Sequence, residues 1–142
     1  MGLKDKGRAL FIDTGAFYAR YIPRDDHHAA AIALWKKVQE GRIHCLTTHF
    51  VLSELVSLFV YRFGSRQALQ AAREIYASHA IEIVRATQDL ELKALEYLER
   101  FLDQDFSMTD ALSFAVMEEK RLSTAFTFDH HFEVAGFQRF QL

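Results

Sequence analysis

Cysteine, proline and glycine are all scarce in this chain: its 142 residues hold 1 cysteine, 1 proline and 6 glycines. The lone Cys45 excludes an intramolecular disulfide, a zinc ribbon and any four-cysteine cluster, and makes a reducing compartment the default. So few turn formers argue against an all-β sandwich and favour helices joined by short loops. Long apolar runs are missing too. The longest, Phe50 to Tyr61, is broken by Ser53, Glu54 and Ser57, so no membrane span is expected. Ala9 to Ile12 is too short for the core of a signal peptide, and Lys6 stands where a myristoylation signal needs Ser or Thr. The chain is therefore expected to be soluble and cytoplasmic. Nor does one sign of charge dominate: 17 basic and 19 acidic residues leave a net charge of −2. That excludes the global basic field of a non-specific nucleic-acid coat protein. It leaves open a nuclease, which carries its own carboxylates and takes positive charge from metal ions.

Half of the residues are hydrophobic and a quarter are charged, an ordinary globular balance. A chain of this length buries about two-thirds of its unfolded surface, enough for one core. Residues 1–7 read as a flexible leader and residues 8–142 as a single domain, without repeats or linkers. Arg8–Asp13 is a compact apolar run that reads as a buried strand. Pro23 and the polar stretch after it punctuate the chain. A helix is expected over about 27–40, started by Asp26, carrying Ala31, Leu34, Trp35 and Val38 on one face, and followed by Gly41. Ile43–Thr47 reads as a second strand. Thr48 caps a helix over 49–63 with the stripe Val51, Leu52, Leu55, Leu58 and Phe59, which Gly64 stops. Ser65 caps a helix over 66–78, and Ile81–Val84 reads as a third strand. Thr87 opens a helix over 88–102 with Leu90, Ala94, Leu95, Leu98 and Phe101 inward, and Ser107 opens another to about Lys120. Thr124–Phe128 reads as a fourth strand and 137–142 as a possible fifth. Strands alternating with helices or helix pairs imply an α/β fold, a mostly parallel sheet of four to five strands flanked by helices. Ligands of such sheets sit beyond the carboxyl ends of the strands, where strand order reverses.

Four carboxylates occupy unusual places. Asp13 ends an apolar strand, Glu54 interrupts an apolar helix, Asp110 lies in a first helical turn, and Asp129 follows the fourth strand. Two like charges about 4 Å apart repel by roughly 4 kcal/mol at an effective dielectric near 20. Four together must take up protons or bind cations. Hard oxygen donors suit Mg²⁺ or Mn²⁺, which activate water and neutralise a phosphoryl group. Each acid also has a local explanation. Asp110 completes the capping-box signature S-x-x-D with Ser107. Glu54 can face solvent, Asp13 can be a turn residue, and Asp129 can cap the short segment 130–134. Asp105 lies in a polar loop near enough to Asp110 to assist. The pairs His27–His28 and His130–His131 are adjacent rather than at i, i+4, so neighbouring rings should not face one another and a zinc site is not expected. Thirteen of the aromatic residues are Phe, most of them expected in the core.

The chain resembles PIN-domain proteins of the kind found as toxins in VapBC toxin–antitoxin pairs. Four stretches carry the resemblance: LFIDTGAFYA with Asp13 and Thr14, TTHFVLSEL with Glu54, DFSMTDALSFAVM with Ser107 and Asp110, and TAFTFDHHF with Thr127 and Asp129. The resemblance implies a three-layer sandwich and metal-dependent cleavage of RNA, mainly single-stranded. It implies Asp13 and Asp110 as the surest Mg²⁺ or Mn²⁺ ligands, Glu54 binding directly or through water, and Asp129 completing the site, with Thr14, Ser107, Thr127 and Asp105 in support. It further implies a homodimer and inhibition by a small antitoxin. The chain departs from the pattern after Thr127: many relatives carry Arg where Phe128 stands, and His130-His131 intervene before any later acid. Other readings are a catalytically silent RNA- or protein-binding module, an aspartic-protease-like hydrolase using Asp13-Thr14-Gly15, and a phosphatase of the haloacid-dehalogenase type. The last needs a second Asp where Gly15 stands.

Overall fold

The structure is a computed structural model, and it describes residues 9–142. The expected leader and Arg8 lie outside the described residues. In chain order the elements are β1 (Ala9–Ile12), α1 (Thr14–Tyr21), α2 (His28–Glu40), β2 (His44–Thr48), α3 (His49–Phe63) and α4 (Ser65–Ala77). They continue with β3 (Ile81–Val84), α5 (Gln88–Arg100), α6 (Met108–Glu119), β4 (Thr124–Phe126), α7 (His131–Val134) and β5 (Gln138–Arg139).

All four strand pairings are parallel, in the order β3-β2-β1-β4-β5. The chain steps outward from β1 to β2 to β3 on one side, then returns to place β4 on the other side of β1. Strand order therefore reverses between β1 and β4, and the carboxyl ends of these two strands are where sheets of this kind take their ligands. Parallel crossovers are right-handed, so α1–α4 and the α5–α6 pair cover opposite faces of the sheet. This is the expected α/β sandwich with five strands.

Local chemistry explains most boundaries. Thr48, Thr87 and Ser107 each accept a backbone amide hydrogen bond at the start of their helix, as the sequence suggests. Gly64 ends α3 with φ 90°, a left-handed conformation that glycine adopts without strain. Two expected caps are absent. α2 starts at His27 without a side-chain cap; Asp25, not Asp26, bonds the His27 amide. Ser65 is the first residue of α4 rather than its cap, which is Gly64. α1 was not anticipated. It is only eight residues long and contains Gly15, too little for a periodic signal, and it forms because Ala16, Phe17 and Ala19 bury against the core. Leu58 and Leu95 also turn outward, and Tyr97 takes the inward place on α5.

The core is centred on α6, which is buried on all sides: every residue from Ala111 to Met117 is buried. Phe114 packs against Tyr97, Phe106, Phe132 and Phe137, with ring centroids 5.0–5.8 Å apart. Trp35 packs between Phe17 and Phe126 with tilted rings and donates a 3.0 Å hydrogen bond to the Ala16 carbonyl. Cys45 is buried in β2, and burial pushes its thiol up to about 12, so it packs as a small apolar side chain. No described helix is long and apolar enough to cross a membrane. Phe114→Ala is expected to cost about 3–5 kcal/mol of stability, measured by urea denaturation. A cost below 1 kcal/mol would contradict the central place given to this ring.

Candidate active site

The carboxyl ends of β1 and β4 hold the first half of the site. Asp13 follows β1, and its amide donates to the Phe126 carbonyl across to β4 at 3.0 Å. The Thr47 hydroxyl on β2 donates to the neighbouring Ile12 carbonyl at 2.8 Å. The Asp13 backbone is thus pinned from both adjacent strands. Its side chain is 7% exposed and accepts a 2.8 Å hydrogen bond from the Thr127 hydroxyl. Thr127 Oγ1 in turn accepts the Asp129 amide at 2.9 Å. One threonine hydroxyl therefore links Asp13 to the turn that carries Asp129.

Helices bring the other two acids. Glu54 lies on α3, exposed at the rim, where its Oε2 accepts a 3.3 Å hydrogen bond from the Thr14 hydroxyl. Asp110 forms the capping box of α6: its amide donates to Ser107 Oγ and its Oδ2 accepts the Ser107 amide, both at 3.0 Å. The capping reading of Asp110 holds, and the same residue still faces the acids. Asp129 likewise has a local role, accepting the His131 amide at 3.0 Å. It does so beside α7, whose N-cap is His130.

The four acids share one electrostatic environment. Burial drives the Asp13 carboxyl up to about 7, against the lowering effect of the Thr127 and Thr14 bonds, and the charges of Asp110 and Asp129 raise it further. Glu54 is raised by partial loss of water, opposed by the Thr14 bond, and again by Asp110 and Asp129. These two acids therefore act on residues of both neighbouring elements. Asp105 stands outside the hydrogen bonds described above. It is exposed in the loop before Ser107 and makes no side-chain hydrogen bond or ion pair among the described residues.

Sequence reasoning missed His131. Its Nδ1 lies 3.3 Å from Asp129 Oδ2 and 3.5 Å from Asp110 Oδ2. That atom is buried, with no hydrogen-bond partner among the described residues. Asp129, His130 and His131 offer ligand atoms within 4.8 Å of one another. The two adjacent rings do meet, with centroids 4.6 Å apart. Helical spacing was the wrong guide here, because His130 is the cap of a four-residue helix rather than part of its interior. A cavity of about 720 Å³ lies at the opposite end of the strands beside His44 and Ile81, and none of the four acids lines it.

The family model for the PIN domain matches residues 10–138. The chain belongs to the PIN-domain family. A protein of Mycobacterium tuberculosis described as 23S rRNA-specific endonuclease VapC20 is 36% identical over 128 residues, 90% of this chain and 95% of that protein. A VapC ribonuclease of Archaeoglobus fulgidus is 33% identical over 116 residues, 80% of this chain and 73% of that protein. The crystal structure of Mycobacterium tuberculosis VapC20, described as a sarcin-ricin loop cleaving toxin, superposes with a TM-score of 0.83. It shares 32% sequence identity and covers 94% of this chain and 99% of its own. The resemblance read from four short motifs is thus met by family, fold and relatives. The parallel helix-covered sheet also removes the aspartic-protease reading, which needs a fold built of strands and loops.

The raised Asp13 carboxyl makes stability depend on pH. A carboxyl near 3.8 when unfolded and about 7 when folded favours the protonated native state. Stability therefore falls as pH rises from about 4 to 7, and the full cost is present above 7. In EDTA, Asp13→Asn is expected to stabilise the fold by about 2–4 kcal/mol at pH 8 and by little at pH 4. Thermal unfolding of both chains at the two pH values checks this. Equal shifts at both would show that the Asp13 carboxylate is not destabilised by its setting.

Proposed function

We propose that this chain is a VapC-type endoribonuclease that hydrolyses RNA phosphodiester bonds with a bound Mg²⁺ or Mn²⁺, as the toxin of a toxin–antitoxin pair. The observation that carries the reading is the gathering of Asp13, Glu54, Asp110 and Asp129 at one sheet edge, where burial raises the Asp13 and Glu54 carboxyls and the charges of Asp110 and Asp129 raise them further. Grouped charge of this kind is costly unless a cation binds. The donor set fits one: carboxylate oxygens suit Mg²⁺ or Mn²⁺, and the buried His131 Nδ1 without a partner points at the same acids.

Asp13 and Asp110 would hold the ion, Glu54 would bind directly or through water, and Asp129 would close the set. A bound divalent ion supplies an activated water and neutralises charge on the phosphate. Thr127 holds Asp13 in one orientation, and Thr14 does the same for Glu54. The Ser107 amide occupies Asp110 Oδ2, which leaves Oδ1 for an ion. Support for RNA as substrate comes from the relatives, one described as specific for 23S rRNA and its structure as cleaving the sarcin-ricin loop. A looped, single-stranded segment of RNA is the substrate class we assign. A homodimer in the cytoplasm and a small inhibitory antitoxin complete the proposal.

Asp13→Asn and Asp110→Asn are each expected to lower RNA cleavage by more than about 100-fold with the fold retained, and EDTA to abolish cleavage by the unaltered chain. Thr127→Val, which loses only the orienting bond, is expected to cost about 10- to 100-fold. Gel analysis of RNA 5′ ends after incubation with Mg²⁺ or Mn²⁺ measures all three. Full-rate cleavage by either Asn variant would remove these acids from the chemistry.

A further inference from the structure

A second feature lies beside the acid group. The His27 ring lies on Phe128 almost in parallel, with centroids 4.4 Å apart and planes 7° from coplanar. Phe128 is half-buried and edge-on to Phe126, which packs on Trp35, so the lower ring is fixed to the core. His27 is exposed, and its backbone is held by the Asp25 side chain at 2.9 Å and by the Ala31 amide at 2.8 Å. Phe128 also stands between Thr127, which bonds Asp13, and Asp129. Its edge approaches Gly15, two residues beyond Asp13, at 4.0 Å from where a Cβ would be.

We propose that the His27–Phe128 stack is a platform on which the RNA base next to the cut phosphate lies. This rests on the ribonuclease reading above and names how that site holds its substrate. The chain's charge leaves a place for such a device. With 17 basic against 19 acidic residues, no overall basic field draws RNA to the surface. Stacking on an aromatic face needs no charge, accepts any base, and takes only bases already free of a duplex. A ring pair pre-stacked and anchored below loses little freedom when a base adds to it. Its place beside Asp13 and Asp129 sets the base and the phosphate of one nucleotide on neighbouring surfaces.

The test uses the full chain carrying Asp13→Asn, so that bound RNA stays uncut, and short single-stranded RNAs labelled at each position in turn with 2-aminopurine. Stacking quenches the fluorescence of this base. We expect quenching at one position next to the cut site, and a Kd about tenfold weaker for His27→Ala, equally at low and high salt. His27→Phe, which keeps a ring and removes the imidazole, is expected to restore both. Phe128→Leu, which keeps apolar bulk without a π face, is expected to weaken binding with unchanged thermal unfolding. Equal binding by His27→Ala, or His27→Phe behaving like His27→Ala, would overturn the platform. An unaltered chain that cuts RNA while its Asp13→Asn form binds without quenching would overturn the platform alone. A chain that neither binds nor cuts RNA would overturn the ribonuclease reading with it.

Discussion

The hydroxyl of Thr127 joined to the Asp13 carboxylate is the constraint on which the rest of the site turns. Asp13 is nearly buried between β1 and β4, close to two other acids, where an isolated carboxylate would be driven to take a proton. Two backbone-anchored bonds and one hydroxyl hold it there. The same hydroxyl receives the Asp129 amide, so moving Thr127 would displace both acids at once. The scaffold therefore stores repulsion at the edge of its sheet, and the core centred on α6 supplies the stability that tolerates it.

That core shows why function and packing are hard to separate here. Asp110 starts the helix that fills the centre of the molecule, and its capping box fixes both the helix and the acid. Asp129 shapes the turn into α7, whose Phe132 packs on Phe11 and Phe114. Neither acid is an addition to a finished fold. Each accepts one backbone amide on a carboxylate oxygen, and the charge of each raises the Asp13 and Glu54 carboxyls.

The parts of this arrangement legible in the sequence were those with a local signature. Apolar runs marked β1, β2, β3 and β4, and Ser107 with Asp110, Thr48 and Thr87 marked helix starts through their own hydrogen bonds. The reversal of strand order could be inferred only in general, yet it pointed to the right edge. What escaped had no local signal. α1 is too short to show a period and exists through tertiary burial. Asp26 and Ser65 looked like caps because residue type alone cannot say which neighbour the backbone turn selects. A rule for helix interiors hides His131, and only the turn after β4 reveals that its nitrogen faces Asp110 and Asp129. The His27–Phe128 stack joins residues far apart in the chain with no pattern linking them.

The strand order also fixes when the centre can exist during synthesis. Asp13 is made before its hydroxyl partner, which lies 114 residues later in the chain, on the side of β1 away from β2 and β3. A nascent chain through β3 can pair three strands and bury their helices while the edge of β1 that receives β4 stays open. Asp129 and His131 arrive later still. The edge of the sheet that gathers the acids is thus closed only by strands made after β1, β2 and β3.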